Sequence, residues 1–473
     1  MEVLNTEVII SENLMSLKNR VVTFLLQKKR SDATEAVTNY ILANNHIKTI
    51  RNDDKQEIWI YKSGIYIPNG KSYIEELCRE IFVEGYTSFL KNDVIYKIMA
   101  ETYIVQEEFF LKQNDYVNIV PVMNGLLNIY TRELEPFTPT IYFFNKLPVY
   151  YDPKADCPNL KTFFSEILSS EVDVLSVQEL FGYSMLKEYK YEKAFMFLGN
   201  GRNGKGKLLE VLKRFLGVDN CANLSLVRIE HDVFSLCELQ NKLVNISPDI
   251  SKAGLENTGE FKSLTGRDMI HANRKFKTMV KFENYAKMIF AANELPRTSD
   301  MTEAFFQRWE IINFPYTFYN ELDYEKNKHN KFAKLRNANI ISEITSQDEM
   351  NGLLNWSLDG FDRLSQNKLF SCTKTSDVVR DFWIRKSDSA LSFVNEMLVD
   401  DVDGFISWSG LKNIYKNFCS QNDLLMLQDK YFRRVILDNT LAYSSRKWLD
   451  KDQVRGFSGI SYRDVNSKKQ TRF

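Results

Sequence analysis

The chain has 473 residues, 44% hydrophobic and 13% aromatic, which is too long for one ordinary core and too apolar for global disorder, so about three domains are expected. Lysine plus arginine equals aspartate plus glutamate at 62 each, so any nucleic-acid role must rest on local basic patches. The six cysteines are scattered without a CxxC pair, there is no long apolar run, and Met-Glu-Val-Leu-Asn does not open a signal peptide; reduced thiols, no zinc site and no membrane association are expected.

Residues 1 to about 45 read as helical, with Leu14, Leu17, Val21, Phe24 and Leu25 at helical spacing. Residues 57–68 alternate around Ser63-Gly64, the pattern of a hairpin. Helices follow to about 112, then a strand-rich patch at 122–130 with a turn signal at Asn124-Gly125. Pro136, Pro139, Pro148 and Pro153 punctuate what reads as an interdomain connection. From about 158 a helical lead-in carries Leu160, Phe163, Phe164, Ile167, Val177, Leu180 and Phe181. From 194 to about 318 short apolar strands alternate with helices, which predicts an α/β unit built on a mainly parallel sheet. Residues 319–334 are charged and read as a solvated helix or loop rather than a binding element. Further on, Leu411, Ile414, Tyr415 and Phe418 form one helix face, and Phe432, Val435, Ile436 and Leu437 another. Helices over Ser409–Gln421 and Lys430–Asn439, a wing and a strand at 459–463 predict a small winged-helix domain. The expected units are therefore 1–157 (α+β), 158–335 (α/β), 336–384 (a helical connection) and 385–473 (winged helix).

The chemistry concentrates in Ala194–Gly217. An apolar strand, Ala194–Leu198, runs into Gly199, Asn200, Gly201, Arg202, Asn203, Gly204 and Lys205, then Gly206 and Lys207, and into a helix faced by Leu208, Leu212, Phe215 and Leu216. A loop with little side-chain bulk lets backbone N–H groups close around phosphate oxygens, and the helix N-terminus and Lys205 add positive charge, which is the physics of a P-loop. The usual Ser or Thr after the lysine is Gly206. A second strand, Leu243–Ile246, leads to Asp249, the candidate acid for Mg²⁺ and water activation, or else an Asp in a Pro-Asp turn; Pro248 stands where a second acid is usual. A third strand ends at Asn293, which either orients the lytic water or senses the γ-phosphate, or simply turns the chain. Arg308 is a candidate arginine finger across a subunit boundary, or a surface ion-pair partner. Lys205, Asp249 and Asn293 are spaced 44 residues apart, with Arg308 15 further on, so all fit one ATPase domain. Between them, Lys262, Arg267, Arg274, Lys275, Lys277 and Lys281, interleaved with His271 and Phe276, suit a hairpin that tracks a phosphate backbone, or a solvated basic hairpin.

These motifs together resemble the superfamily-three helicases of viruses, phages and plasmids, in the poxvirus-type and phage-type primase-helicase branch. The likeness rests on residues 199–205, 260–268, 290–296 and 308–314, and upstream on 124–130, 147–158 and 179–183. It implies an AAA+-like ATPase core assembled as a ring, a hexamer, with ATP and Mg²⁺ between subunits and a hairpin gripping single-stranded DNA. By motif position Lys205 would contact the β/γ-phosphates, Asp249 the metal or water, Asn293 would act as first sensor, Arg308 as finger in trans, and Lys275 or Lys277 as pore contact. Gly206 cannot supply the hydroxyl that normally ligates Mg²⁺. Only about 50 residues precede the matching region, fewer than a polymerising domain needs, so primase activity is expected from a separate protein.

From Tyr443 to Phe473 there are eight basic and three acidic residues, with Arg446 and Lys447 beside Trp448, which suits duplex DNA at an origin, or a protein-docking wing. The expected function is an ATP-dependent replicative DNA helicase of a virus, phage or mobile element, acting on single-stranded and forked DNA in the host cytoplasm with host replication proteins. The rival reading is a nucleotide-binding initiator that assembles on origin DNA and hydrolyses poorly.

Overall fold

The computed structural model describes residues 2–51, 56–232, 234–248, 255–274, 279–422, 424, 426–449 and 452–463. Near the N-terminus, helices Glu2–Leu26, Arg30–Asn44, Gly70–Phe82 and Ser88–Thr102 pack on a four-stranded sheet in the order Ile65–Ile67, Glu57–Lys62, Ile47–Ile50, Tyr103–Ile104. The alternation of residues 57–62 divides the strand's side chains between two cores. Ile58 and Ile60 join the helices, while Trp59 joins Tyr66, Phe109, Phe110 and Tyr142 on the opposite face. The expected turn at Ser63-Gly64 is present, both residues having positive φ. The next hairpin, Ile119–Val122 with Gly125–Asn128, turns one residue earlier than expected. Val122 pairs Gly125, so Met123 and Asn124 form the loop. The Asn124 amide holds that register by bonding both the N–H and the carbonyl of Tyr151 at 3.0 Å.

The lead-in forms α1 (Pro158–Ile167) and α2 (Glu171–Tyr183). Then come β1 (Ala194–Leu198), α3 (Lys205–Leu216), β2 (Cys221–Ala222), β3 (Val244–Ser247), β4 (Lys287–Ala292) and β5 (Trp309–Asn313). The five strands make one sheet, all parallel, in the order β5-β1-β4-β3-β2. Both faces are covered, which is why the interior strand β1 reads as an unbroken apolar run. Phe195 and Phe197 face a core shared with α1, α2 and α3; Ala194, Met196 and Leu198 face another built on Phe261, Trp309 and Trp383.

Within the segment expected as a connection, α4 (Gln347–Asn367) belongs to the first of these cores, with Leu353, Leu354, Trp356 and Phe361 buried there. Gly182 of α2 and Gly360 of α4 permit the close approach. A Cβ on either would stand 2.3 Å or 2.5 Å from the carbonyl of Ser357 or Gln178. Residues 319–334 hold the helix Glu321–Asn327, with no buried residue, between short parallel strands Thr317–Tyr319 and Ala333–Leu335. After α5 (Ser376–Ser387), helices Ser389–Met397, Trp408–Gln421 and Asp429–Asn439 pack around Phe393, Tyr415 and Phe432 beside a three-stranded antiparallel sheet, Leu398–Ser407, Asp452–Tyr462, Tyr443–Leu449. Leu437, expected on the buried face, is 42% exposed. It lies five positions from Phe432, about 140° around the helix from it. No helix among the described residues is long and apolar enough to cross a membrane.

Candidate nucleotide site and nucleic-acid interface

The glycine loop spans the C-terminal edge of the sheet. Arg202 and Gly204 have left-handed φ of 63° and 91°, and Gly204 caps α3. A Cβ on Gly204 would meet Ile167 of α1 at 2.6 Å, so the lead-in helix fixes this position as glycine. Neighbouring strands brace the loop. Gly199 N–H donates to Ala292 O at 3.2 Å, Phe314 N–H to Leu198 O at 2.8 Å, and Phe318 N–H to Arg202 O at 2.7 Å. Asn203, 3% exposed, donates to Phe314 O at 3.4 Å and accepts from Lys205 N–H at 3.4 Å, which makes it a strut of the loop.

The parallel register places Leu198 opposite Ala292. Lys205 and Asn293, 88 residues apart, therefore meet. The Lys205 ammonium donates to Asn293 Oδ1 at 3.3 Å, to Ala292 O at 3.0 Å and to Gly199 O. Lys205 is 7% exposed, so a buried cation points into the mouth of the loop, held among the described residues by these oxygens, which an anion would displace. β3 ends alongside at Ser247, paired with Phe290. Asp249 lies outside the described residues. At Gly206 an added Cβ would meet nothing within 4 Å, so the missing hydroxyl is not excluded by space.

Arg308 does not join this group within one chain. It precedes β5, whose Trp309 pairs Ala194 at the start of β1, so it sits at the opposite edge of the sheet, roughly 13 Å along the strands. Its guanidinium donates to Thr265 Oγ1 at 2.9 Å and to Ala304 O, with Glu192 at 3.9 Å, and only 12% of the side chain is exposed.

Two clefts flank the loop. One of about 430 Å³ lies between α1 and the segment after β5, lined by Phe163, Ile167, Arg202, Lys207, Phe318 and Arg336. The other, about 530 Å³, is lined by Gly199, Asn200, Asn293, Glu294, Tyr316 and Lys386. Asn203 was named from the sequence as part of the loop, whereas Thr265, Arg336 and Lys386 were not singled out. Asn203 carried a signal in its place inside the loop; the others carry none, because their role comes from contacts across elements.

The basic segment is a helix followed by a hairpin. Lys262 is on the helix Gly259–Thr265, paired with Asp300 at 2.9 Å. Strands Met269–Ala272 and Val280–Glu283 then pair antiparallel. Ile270, Ala272, Val280 and Phe282 face the core, while His271 and Lys281 face outward. Lys275, Phe276 and Lys277 lie outside the described residues. Arg267 at the hairpin's foot pairs with Glu188 at 2.9 Å and Glu283 at 3.2 Å, and the hydrogen bond it donates to Glu283 raises its pKa. Arg274 pairs with Glu57 of the N-terminal sheet at 2.7 Å, the two side chains 14% and 19% exposed. On the other leg, Gln106 donates to Met279 O at 3.4 Å. The N-terminal region thus grips the hairpin on both sides of its tip.

Close by, Lys187 is 4% exposed, lies 4.0 Å over the Phe143 ring and has no hydrogen-bond partner for its ammonium among the described residues; burial pushes its pKa down to about 7. Burial also lowers the pKa of Lys287, which donates to Tyr285 O at 2.9 Å and to Leu186 O. In the C-terminal sheet Arg446 and Arg455 stand directly opposite each other, both exposed, beside exposed Lys447 and Trp448. Like charges so placed repel and suit a polyanion. All six cysteines are free thiols, and no group of three or more His, Cys, Asp or Glu able to hold a metal occurs among the described residues.

Comparison with known proteins gives two family matches. Residues 33–169 match the model described as "D5 N terminal like", and residues 197–308 match a family of unknown function, DUF5906. The chain is 22% identical over 385 residues to "Putative helicase V13" of Sputnik virophage, covering 76% of this chain and 47% of the relative. It is 29% identical over 137 residues to "Putative helicase L207/L206" of Acanthamoeba polyphaga mimivirus, covering 26% of this chain and 13% of that protein. The chain therefore spans about half the length of the first relative and a small part of the second. Among solved structures, the apo C-terminal region of NrS-1 overlaps 89% of this chain and 98% of its own at 13% identity, with a TM-score of 0.43. The D5-like match and the two viral relatives support a likeness to viral replication proteins of the primase-helicase type.

Proposed function

We propose that the chain is an ATP-dependent DNA helicase of a viral or mobile-element replication system, with an AAA+-like P-loop core that works as a ring. The observation that carries this is the meeting of Lys205 and Asn293 beneath a glycine loop, at the C-terminal edge of a parallel sheet ordered β5-β1-β4-β3-β2. Open α/β sheets bind ligands at that edge. Phosphates would lie over the loop amides and the N-terminus of α3, with the Lys205 ammonium turning from its backbone oxygens onto the β/γ-phosphates. The cleft between α1 and Phe318 would take the nucleoside, and Asn293 would hold the attacking water or the γ-phosphate. Mg²⁺ commonly keeps several waters and takes one or two carboxylates plus phosphate oxygens, and it would neutralise charge on those oxygens. Asp249, with a water in the open space at Gly206, fits that reduced protein share. Arg308, at the far edge of the sheet, suits a role toward a neighbouring subunit's nucleotide. Lys275, Lys277 and Arg274 would follow single-stranded DNA; Arg446 and Lys447 on a winged-helix domain would meet duplex. The primase would be a separate partner.

The test is ATP hydrolysis and unwinding of forked DNA with Mg²⁺, comparing wild type, Lys205→Ala and Lys275→Ala. The expected result is loss of both activities in the first variant, by about 100-fold or more. Unwinding alone should be lost in the second. Robust hydrolysis without any unwinding by the wild type would sink the helicase reading. Gly206 and Pro248 favour a second reading, an initiator that binds nucleotide and origin DNA with little turnover. Tight nucleotide binding without hydrolysis would select it.

A further inference from the structure

The helix Glu321–Asn327 buries none of its residues, and Leu322 on it is 79% exposed. Leu322 and Glu325 stand three apart and Glu321 and Glu325 four apart, so one face carries a leucine between two exposed carboxylates. The helix holds three acids and one lysine, and Glu325 also meets exposed Lys328 at 2.7 Å. So short a helix does not persist in water by propensity, and its stability must come from packing an apolar face. Within one copy that face meets solvent. A matching surface lies at one end of the N-terminal helical bundle. The turn after Glu2–Leu26 sits against the turn after Gly70–Phe82, close enough that a Cβ on Gly85 would stand 2.6 Å from the Leu25 side chain. Leu26 and Phe89 are 80% and 68% exposed there, with Val83 exposed as well. Lys28, Lys29 and Arg30 follow in one exposed run, in no ion pair among the described residues, and outnumber the exposed acids Asp32 and Glu84 beside them. The two surfaces belong to opposite edges of the parallel sheet. The acidic helix follows Phe318, whose N–H braces the glycine loop at Arg202 O. The N-terminal region joins the Arg308 edge, through Lys187 N–H on Val117 O at 3.3 Å just before β1 and through the Glu57–Arg274 pair. A neighbour that offers Arg308 to this loop therefore brings its N-terminal region toward this helix.

We propose that the acidic helix Glu321–Asn327 of one copy docks on the basic, apolar end of the N-terminal bundle of a second copy of this chain. The proposal rests on the reading above in which two copies complete one nucleotide site. Leu322 enters among Leu26, Val83 and Phe89 of the second copy, while Glu321 and Glu325 face its Lys28, Lys29 and Arg30. Opposite charges across the contact fix its register and disfavour other pairings. The contact joins unlike surfaces, so it repeats from copy to copy and closes only if the ring closes. Patches of this size fall short of a stable interface by themselves, so the contact adds to the one around the glycine loop.

The test is self-association of the full chain by sedimentation velocity over a dilution series, with Mg²⁺ and a non-hydrolysable ATP analogue present. One variant combines Glu321→Lys with Glu325→Lys, and another combines Lys29→Glu with Arg30→Glu. Each is expected to weaken association by about tenfold. All four substitutions in one chain should restore it, because every contact then carries the exchanged charges. Leu322→Ser, which changes no charge at an exposed position, should weaken association too and serves if a reversal fails to fold. Association unchanged by either reversal, or no recovery in the combined variant, overturns the proposal. A Lys29→Glu, Arg30→Glu chain that associates normally but binds a short DNA duplex more weakly overturns it in favour of nucleic acid. A wild type that stays monomeric with nucleotide overturns the two-copy reading, and this contact with it.

Discussion

Lys205 is a buried cation that donates, among the described residues, to the uncharged oxygens of Gly199, Ala292 and Asn293, each of which an incoming phosphate would outbid on charge. Gly206 beside it offers space and no ligand. Gly206→Thr, which would restore a hydroxyl where a Cβ meets no neighbour, is therefore expected to raise Mg²⁺-dependent ATP turnover several-fold, read by phosphate release. A lower rate would mean that the site has been built around the absence. Lys187 is the opposite kind of lysine, buried with no oxygen among the described residues to hold it. Its folded pKa of about 7 lies below the unfolded value near 10.5, so between those pH values the unfolded chain binds the extra proton. This group alone makes stability rise as pH rises through that window, by up to about 2 kcal/mol from pH 7 to 9. Lys187→Met should be more stable than wild type at pH 7 and show a flatter dependence, measured by urea unfolding at the two pH values. The loop, Lys205 and Asn293 were legible because each ends or follows an apolar strand. Lys187 was not, because only packing distinguishes it from an ordinary surface lysine.

At the level of elements, the two N-terminal hairpins and the strand–loop–helix of 194–216 were readable from alternation and glycine placement, since those signals are local. The basic segment was harder. Its charges suggest a free positive stripe, yet Lys262, Arg267 and Arg274 each face a carboxylate contributed from outside the hairpin strands or from the hairpin's own foot. The sequence distance between Glu57 and Arg274 hides that pairing. On the proposed role of Arg274, Glu57 would compete with a DNA phosphate for it. Glu57→Gln is expected to tighten single-stranded DNA binding about threefold to tenfold at low salt, with the gain shrinking as salt rises. Fluorescence anisotropy across a salt series reads this; unchanged binding would mean that Arg274 stays docked when DNA arrives.

At the scale of the whole molecule, Arg308 and Lys205 sit at opposite edges of one sheet, so a catalytic role for both requires two copies. Arg308→Ala and Lys205→Ala are each expected to be nearly inactive as ATPases, while a mixture of the two regains measurable turnover because some interfaces pair an intact loop with an intact arginine. A mixture as inactive as its components would argue that each chain hydrolyses alone. The expected break at 335 was drawn where charge rises and periodicity fades. The core passes over it, because α4 docks on α2 through Gly182 and Gly360, a backbone contact that leaves no hydrophobic mark in the sequence. The fold class was visible from strand–helix alternation; the extent of its core was not.

The strand order also sets a timetable. β5 enters the sheet next to β1, the first strand made, and Phe314 just beyond β5 supplies the contacts to Leu198 and Asn203 that brace the glycine loop. A nascent chain shorter than that carries every residue of the loop but lacks the bracing contacts from Phe314 and Phe318. Parallel pairing at such separation is slow to form, because loop-closure entropy is spent before the contacts form. Nucleotide binding should thus emerge late in synthesis, and a nucleotide that binds only the completed sheet would pull the last folding step forward.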